Sequence, residues 1–433
     1  MPAAPSPQHD VIVAGGGPSG ATAALLLARH GFRVLVAERS RFPRFRLGES
    51  LLPANTPLLR RLGVAERLRQ LPHTTKRGVE FGLGHLFDTS VVEFRDAFGP
   101  QESAFNVERA AFDTMLLDAA REAGAEVAEG LPLRRIHRLA DDDVEVCLGD
   151  RRCRARYLLD ATGQATVVGK HLGLRRDLAG MERIAYFAHA TGVEGLAGER
   201  AGFPSILMMR DAWFWSIPLD AQRTSLGVVM DRSAARRLPV PPEQRLQWAL
   251  ARCPLLAHRC RDAVLPERNG VAADFTYRCA PACGPGYFLL GDAATFVDPI
   301  FSTGVYLGMA GATAASDGLT EALAGRRSPA AIRRRYRRFV DRSTRPYLRL
   351  IQQFYDPAFR DLLLAGAGPL QLHRAVLSLL AGHGVPRPAW RIRWRMALFG
   401  LAVKAQHLVP LAPRQSAQSL LSGAGEWNRQ AAA

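Results

Sequence analysis

A glycine-rich turn near the N-terminus restricts the possible folds of this chain more than any other feature. Residues 10–14 contain the short apolar run Val11–Ala14 and predict a buried strand, and residues 21–30 are rich in Ala and Leu and predict a helix. Between them, Gly15, Gly17 and Gly20 give the spacing G-x-G-x-x-G, and a second predicted strand, 33–37, ends at Glu38. This order indicates a β-α-β unit whose helix N-terminus binds a pyrophosphate. We therefore expect an α/β, Rossmann-like domain.

Glu38 and two later strands favour one dinucleotide over others. Glu38 lies 18 residues after Gly20, where a carboxylate can accept hydrogen bonds from ribose hydroxyls, which favours FAD or NAD over a 2′-phosphorylated nucleotide. Residues 157–163 and 287–294 predict two further apolar strands that end in small residues. In the second, Gly291 precedes Asp292, whose carboxylate can hold the ribityl chain of FAD. Because NAD dehydrogenases do not need this late Gly-Asp pair, the pattern favours FAD.

The nucleotide-binding segments are far apart, so the domain must be discontinuous. We expect a disordered tail at 1–8, an FAD-binding domain at 9–75, 103–178 and 270–325, and an inserted mixed β-sheet domain for substrate at 76–102 and 179–269. The insert is predicted from alternating apolar strands at 79–83, 91–94, 184–191, 205–209, 213–217 and 224–230. Residues 326–433 should be helical, with helices at 329–341, 346–364, 370–381 and 388–407.

Composition excludes several classes of protein. Apolar residues make up 48% and charged residues 22% of the chain, which is a globular composition. No run of 18 uncharged apolar residues predicts a membrane-spanning helix, and we expect no secretory signal because the first apolar run is too short for one. The six cysteines have neither disulfide-framework nor zinc-site spacing, so we expect no metal. The chain should be cytoplasmic, and peripheral contact with the inner membrane is an alternative considered below.

The positive charge is concentrated in the last quarter of the chain. The net charge is +17, and residues 320–433 contain 19 basic and 5 acidic residues. Only three of the 57 cationic residues are lysines, namely Lys76, Lys170 and Lys404. Since this chain uses arginine for a general positive charge, each lysine is an informative exception.

Two further segments carry a resemblance to a known superfamily. Arg41-Phe-Pro-Arg44 follows the second strand, and Val107-Glu-Arg109-Ala-Ala-Phe-Asp113 opens a predicted helix. With the glycine turn and Gly291-Asp292, the chain resembles the FAD-dependent monooxygenases of the p-hydroxybenzoate hydroxylase fold. The resemblance implies that Arg44 and Arg109 lie near the FAD phosphates or adenosine. The alternative for each is a solvated surface charge.

Four short motifs narrow the resemblance. They are Trp213-Phe-Trp215-Ser-Ile217-Pro218, Lys76-Arg-Gly-Val-Glu-Phe, Asp298-Pro299-Ile-Phe301-Ser-Thr303-Gly304-Val, and Arg44-Phe-Arg-Leu-Gly-Glu-Ser-Leu-Leu-Pro53. Together they resemble the flavin-dependent halogenases, over about residues 10–325, and the members acting on phenols and pyrroles more than the tryptophan halogenases. The resemblance implies FADH2 supplied by a separate flavin reductase, chloride or bromide as halide, and hypohalous acid as the oxidant. It also implies an electron-rich aromatic substrate of secondary metabolism, free or tethered to an acyl or peptidyl carrier protein.

The residue types suit those implied roles. Lys76 would present the hypohalous acid, because a primary amine loses its proton when buried whereas a guanidinium does not. Thr303 and Gly304 would bind the halide through backbone N–H groups at a helix start, with Pro299 and Gly304 against the flavin. Trp213, Trp215, Ile217 and Pro218 would form a wall that separates substrate from flavin. The alternatives are a surface lysine, a tight turn and ordinary sheet-core packing.

Two positions depart from the tryptophan halogenases and their relatives. The tryptophan halogenases have a catalytic Glu before Ser-Thr-Gly, where this chain has Phe301, so we expect a substrate that is activated by its own phenol or pyrrole. Tyr306 stands where many phenol-type relatives have His, and we assign it no role.

Other functions remain open from the sequence. A flavin reductase of the geranylgeranyl reductase kind shares the fold, but Lys76 has no role in that chemistry. An NAD(P)H-dependent aromatic hydroxylase is a second alternative. A non-catalytic flavoprotein that binds a membrane or pigment through its basic tail is a third.

The basic C-terminal region predicts an anionic partner or none. Nine arginines lie within 326–345, and residues 387–404 interleave basic and aromatic side chains. We find no nucleic-acid-binding fold there and expect no nucleic acid. The first cluster favours an acidic carrier protein, residues 388–407 suit a membrane interface equally well, and a solvated helix face is the remaining interpretation.

Overall fold

The computed structural model describes residues 8–100, 102–178, 180–273, 276–296, 298–366 and 369–421. Its strands are β1 His9–Ala14, β2 Val34–Glu38, β3 His73–Lys76, β4 Gly78–Leu83, β5 Thr89–Glu93, β6 Ala104–Val107, β7 Glu126–Glu129, β8 Leu133–Ala140, β9 Asp143–Leu148, β10 Arg151–Asp160, β11 Arg175–Asp177, β12 Arg183–Thr191, β13 Ser205–Met208, β14 Ala212–Pro218, β15 Arg223–Asp231, β16 Gly270–Ala273, β17 Tyr277–Cys279, β18 Cys283–Gly284, β19 Tyr287–Leu289 and β20 Thr295–Phe296. Its α-helices are α1 Pro18–Arg29, α2 Asn55–Arg61, α3 Ala65–Gln70, α4 Arg109–Glu122, α5 Val167–His171, α6 Arg232–Ala235, α7 Arg245–Leu250, α8 Pro254–Arg259, α9 Gly304–Leu323, α10 Pro329–Phe354, α11 Pro357–Leu364, α12 Leu372–Leu380 and α13 Trp390–Leu408.

The first layer is a largely parallel sheet in the order β18-β19-β10-β1-β2-β7, with β9 and β8 continuing from β10. Strands β1, β2, β7, β10 and β19 run parallel, and helix α1 returns the chain from β1 to β2. Strand β1 is central, and its residues Val11–Ala14 are apolar and fully buried, as a strand covered on both faces must be. Helix α1 packs against α4 and α9. This layer confirms the predicted α/β class and brings three distant segments to one sheet edge.

The second layer is a mixed seven-stranded sheet in the order β16-β12-β15-β14-β13-β4-β5. Its β13–β4 pair is parallel and its other pairs are antiparallel. Residues 270–273, which we expected in the FAD-binding domain, form β16 and pair with Ile184–Phe187 of β12. The expected boundary at 270 is wrong, because backbone pairing holds this segment in the second sheet. The rest of the domain division stays a prediction.

The C-terminal helices cover one face of the second sheet. Buried side chains of α10 to α13, among them Phe354, Phe359 and Phe399, form one apolar cluster with Trp213 and Trp215. We predicted a break between residues 341 and 346, but α10 runs without interruption through Pro346. Buried side chains continue at helical spacing on both sides of the proline, so their packing compensates for the hydrogen bond that the proline cannot donate. The predicted tail at 1–8 lies almost entirely outside the described residues, and so do residues 422–433 of the helical region.

Candidate functional site

A cavity of about 670 Å³ lies between the two sheets, at the carboxyl ends of β1, β10 and β19. The first layer contributes the predicted Gly15, Gly17, Glu38, Arg44 and Arg109, and the loops after β19 contribute the predicted Gly291, Asp292, Pro299 and Gly304. The second sheet contributes Trp213, Trp215 and Ile217. The cavity thus brings together most of the predicted site residues; Gly20, Lys76, Pro218 and Thr303 do not line it. Its volume is in the range of cofactor pockets.

The glycine turn is shaped for close backbone approach. Gly15 has φ +106°, and a Cβ there would lie 2.3 Å from the carbonyl oxygen of Ala161. Gly20 does not line the cavity, but a Cβ at that position would lie 1.9 Å from the carbonyl oxygen of Gly15. Only glycine permits this packing of α1 against the ends of β1 and β10. The turn therefore leaves the N-terminus of α1 open to an anion.

Glu38 is fixed at the end of β2. Its side chain is buried, and its two oxygens accept hydrogen bonds from the backbone N–H groups of Gly16 (2.7 Å) and Ser40 (2.8 Å). Each carboxylate oxygen keeps a further lone pair for a ribose hydroxyl. The position suits the predicted role.

Arg44 and Arg109 share one buried acid. Arg109 contacts Asp113 through Nε (2.8 Å) and Nη2 (3.0 Å), and Arg44 contacts it through Nη1 (2.9 Å). Two guanidiniums on one carboxylate leave a net positive charge beside the cavity, and Arg44 Nε is buried without a partner among the described residues. Neither arginine is a solvated surface charge. The glycine turn, Glu38 and this pair fit a dinucleotide cofactor such as FAD.

Asp292 lines the same cavity as the two arginines. Burial raises the pKa of Asp292 to about 6, and the nearby Arg109 charge opposes that shift. Gly304 opens α9 next to it, since a Cβ on Gly304 would lie 3.7 Å from Asp292 Oδ1. The N-terminus of a 20-residue helix therefore points to the cavity. Thr303, the residue before this helix, is 1% exposed and does not line the cavity, so Gly304 is the member of the predicted halide pair that borders it.

Lys76 is buried, so the surface interpretation of this residue is wrong. Lys76 is the last residue of β3 and is 2% exposed. Its Nζ donates a hydrogen bond to the Leu51 carbonyl oxygen at 3.2 Å and lies 5.5 Å from the centre of the Phe94 ring. Burial lowers the pKa of Lys76 from its ordinary 10.5 to about 7. Lys170 and Lys404, by contrast, are exposed.

The Trp213–Pro218 segment forms a cavity wall. Both indoles are buried, with ring centres 5.8 Å apart. Both also belong to the apolar cluster between the second sheet and the C-terminal helices, so the same two side chains line the cavity and pack in the core. Trp215 Nε1 donates to Ser225 Oγ at 3.1 Å. The Pro218 carbonyl oxygen accepts from Thr74 Oγ1 at 2.6 Å, which joins the end of this wall to the strand that carries Lys76.

Sequence reasoning missed a hydrogen-bond chain behind the wall. Trp213 Nε1 donates to Tyr355 Oη at 3.1 Å, and Tyr355 Oη donates to Asp298 Oδ2. Asp298 also accepts from the Ile300 N–H at 3.1 Å, at the start of the turn that leads to Gly304. Burial raises the pKa of Asp298 to about 6. No local signal could reveal a contact across 142 residues.

A second missed pair lies at the same cavity. Glu49, which lines it, is 1% exposed and pairs with Nε2 of His189. Phe45 stacks on Phe187 with ring centres 5.7 Å apart, so the loop before Glu49 rests on β12. The motif containing Glu49 was identified in the sequence, but its partner was not.

The position of the missing glutamate is apolar in the structure as well. Phe301 is buried and contacts the Phe354 ring edge-on, with ring centres 5.5 Å apart.

Among the described residues, no group of three or more His, Cys, Asp and Glu side chains could bind a metal. All six cysteines are free thiols. Every helix within the described residues is too short or too polar to cross a bilayer.

Fold and cavity define an FAD-dependent enzyme, and comparison with known proteins narrows the class. A family model described as FAD binding domain matches residues 8–339. The 1H-pyrrole-2-carbonyl-[peptidyl-carrier protein] chlorinase of Pseudomonas fluorescens is 30% identical over 345 residues, 73% of this chain and 76% of that protein. The structure of flavin-dependent brominase Bmp2 superposes with a TM-score of 0.80 at 27% identity, covering 92% of this chain and 99% of that one. The structure of the myxobacterial chondrochloren halogenase CndH superposes with a TM-score of 0.75 at 28% identity, covering 92% of this chain and 97% of that one. This chain therefore belongs to the flavin-dependent halogenases.

Membership in this family decides between the functions that the sequence left open. The predicted enzyme class, a flavin-dependent halogenase, is confirmed. The three alternatives, a reductase, a hydroxylase and a non-catalytic flavoprotein, are not supported by the comparisons. The roles of individual residues, the halide and the substrate stay predictions.

Proposed function

We propose that this enzyme halogenates an electron-rich phenol or pyrrole through Lys76, using FADH2 from a separate flavin reductase. The bound cofactor supplies the electrons for the overall conversion FADH2 + O2 + X⁻ + H⁺ → FAD + HOX + H2O, where X⁻ is chloride or bromide. The protein residues bind the reactants, exclude water and transfer the halogen. Glu38, Arg44, Arg109 and Asp292, which line the cavity, hold the cofactor. The backbone N–H groups of Thr303 and Gly304 at the start of α9 hold the halide, and Gly304 is the one of the two that lines the cavity.

The observation that carries the proposal is the buried, weakly basic Lys76. With a pKa of about 7, a large fraction of this amine is neutral at physiological pH and has a free electron pair. It can react as Lys-NH2 + HOX → Lys-NHX + H2O, and then return to the amine as Lys-NHX + ArH → Lys-NH2 + ArX. A guanidinium would stay protonated and could not take part.

Trp213 and Trp215 separate the two chemical steps. Their buried rings line the cavity, while Lys76 does not. An aromatic substrate beyond this wall meets the amine and not the cofactor, which prevents direct oxygenation of the substrate. Phe301 offers no carboxylate to accept the ring proton, so a ring activated by its own hydroxyl or pyrrole nitrogen is the expected substrate.

The basic face of α10 supports a carrier-tethered substrate. Arg334, Arg335, Arg337, Arg338, Arg342 and Arg345 are exposed and have no ion pair with any described residue. Arg333 differs, because it is mostly buried and pairs with Asp141. Two relatives are named for action on pyrrole-2-carbonyl bound to a peptidyl carrier protein. An exposed cationic face accelerates association with an acidic carrier.

The proposal is tested by supplying FAD, a flavin reductase, NADH and chloride or bromide with a panel of phenols and pyrroles. Each substrate is offered both free and as a carrier thioester, and halogen isotope patterns are read by mass spectrometry. We expect product only with the reductase present, and faster turnover of the tethered acid, with this preference falling as salt rises. Arg334→Glu with Arg338→Glu should remove the preference, whereas Arg393→Glu on α13 should not. Unchanged preference in the α10 variant would exclude this docking face.

A further inference from the structure

Helix α13 is apolar on the face that points away from the protein. Trp390, Leu401 and Leu408 are 74%, 58% and 85% exposed. At 3.6 residues per turn, positions 390, 401 and 408 fall within about 20° of one another around the helix axis. Ile392, Phe399 and Val403 are buried on the opposite side. Helix α13 therefore has two apolar faces, one packed on the protein and one in solvent.

The exposed apolar surface extends beyond the helix. Val409 and Leu411 are 60% and 55% exposed just after α13, and Leu370, whose carbonyl oxygen accepts from Arg395 Nε, is 60% exposed beside it. Six of the twelve large hydrophobic side chains exposed among the described residues lie in 370–411. A single exposed leucine needs no explanation, but a group of this kind marks an interaction surface. We call Trp390, Leu401, Leu408, Val409 and Leu411 the outer strip.

The charge beside the outer strip has one sign. Residues 362–425 contain seven Lys and Arg and no Asp or Glu. Arg391, Arg393 and Lys404 are exposed and lie on the two flanks of the strip. A second copy of this chain would place like charges together, which disfavours self-association through this face. The surface instead complements a partner that is both apolar and anionic.

We propose that the outer strip binds the surface of an anionic lipid bilayer, with α13 lying in the interface. Interfacial helices combine Trp and Leu on the lipid side with Lys and Arg that contact phosphate headgroups, as this helix does. Helix α10 gives the contrast within the same chain, because its exposed arginines occur without an exposed large hydrophobic side chain. Charge alone suits an acidic protein, whereas charge with a hydrophobic strip about 28 Å long suits a bilayer. This inference is independent of the proposed halogenation chemistry.

The test is co-sedimentation of the full-length, FAD-loaded protein with sucrose-filled vesicles. One set contains 30% phosphatidylglycerol in phosphatidylcholine and the other phosphatidylcholine alone. We expect at least tenfold more bound protein on the anionic set, with part of the binding retained at 0.5 M salt because the strip is apolar. Leu401→Gln with Leu408→Gln should reduce binding at least tenfold. These side chains are exposed, so the variant should fold normally, which circular dichroism and thermal melting verify.

The matched control is Arg334→Glu with Arg338→Glu on α10, which changes net charge without touching the strip. It should bind anionic vesicles within about twofold of the unmodified protein at 0.15 M salt. Absence of sedimentation would overturn the proposal, and so would equal loss in the control, which indicates charge attraction without a defined face. A dimer in sedimentation velocity that Leu401→Gln with Leu408→Gln dissociates would assign the strip to a second copy. Loss of carrier preference in the same variant, without vesicle binding, would assign it to the carrier.

Discussion

Replacing Lys76 with methionine should stabilise the protein while removing its function. Met has nearly the length of Lys without the charge, and Lys76 is 2% exposed. The unfolded chain keeps the ordinary pKa of 10.5, whereas the folded chain has about 7. Between these values the unfolded state binds more protons, so the free energy of unfolding of the unmodified protein rises with pH.

The magnitude follows from the size of that shift. About 3.5 pKa units at 1.36 kcal/mol each give a cost of about 5 kcal/mol below pH 7, where both states are protonated. At pH 7 the cost is about 4 kcal/mol, and it vanishes near pH 10.5. The variant also loses the hydrogen bond from Nζ to Leu51, a pH-independent loss of about 1 kcal/mol. Lys76→Met should therefore be more stable by about 3 kcal/mol at pH 7, with the advantage shrinking as pH rises.

Urea unfolding of the apo protein between pH 6 and 9.5, at constant ionic strength, measures this difference. Lys170→Met is the matched control, because Lys170 is exposed and its replacement should leave the difference flat with pH. A stability difference for Lys76→Met that does not change with pH would refute the reasoning, since it would mean that the folded amine titrates as the unfolded one does.

Three further results are expected. Glu38→Ala should weaken FAD binding at least tenfold in an equilibrium titration, because the variant loses the carboxylate that the Gly16 and Ser40 N–H groups hold in place. Unchanged affinity would show that Glu38 does not bind the ribose hydroxyls of FAD. Asp292→Asn should stabilise the apo protein at pH 7 by up to about 3 kcal/mol, because the folded-state pKa of about 6 exceeds the ordinary 3.8 and stability is lost as pH rises through that window; the gain should disappear below about pH 4. Tyr355→Phe should lower apo stability by about 1–2 kcal/mol, and this loss should be smaller in an Asp298→Asn background, since Tyr355 and Asp298 belong to one hydrogen-bond chain; an equal loss in both backgrounds would show two independent contacts.

The sequence was most informative where the backbone itself is constrained. The strand, turn and helix from residue 9 to 38 were predicted within a few residues, because glycine spacing and apolar runs are local signals. The end of β10 and the Gly291-Asp292 turn were found for the same reason. Lys76 was recognised by residue type, since lysine is rare in this chain.

Contacts between distant segments could not be predicted in this way. The pairing of β16 with β12, the Glu49–His189 pair and the hydrogen bond from Tyr355 to Asp298 depend on how the layers pack, which leaves no local pattern. Pro346 predicted a helix break, but packing on both sides of it keeps α10 continuous. Residues 388–407 were predicted to form a helix with interleaved basic and aromatic side chains, yet only the structure separates the packed apolar face of α13 from its exposed one.

The measurement that tests the central claim most directly is oxygen consumption and halogenated product followed in the same reaction for Lys76→Ala. Reductase, NADH, FAD, halide and a substrate accepted by the unmodified enzyme are supplied, and Lys76→Arg is run in parallel. If Lys76 transfers the halogen, both variants should consume O2 within about twofold of the normal rate and form no halogenated product. Halogenated product at the normal rate from Lys76→Ala would contradict the account.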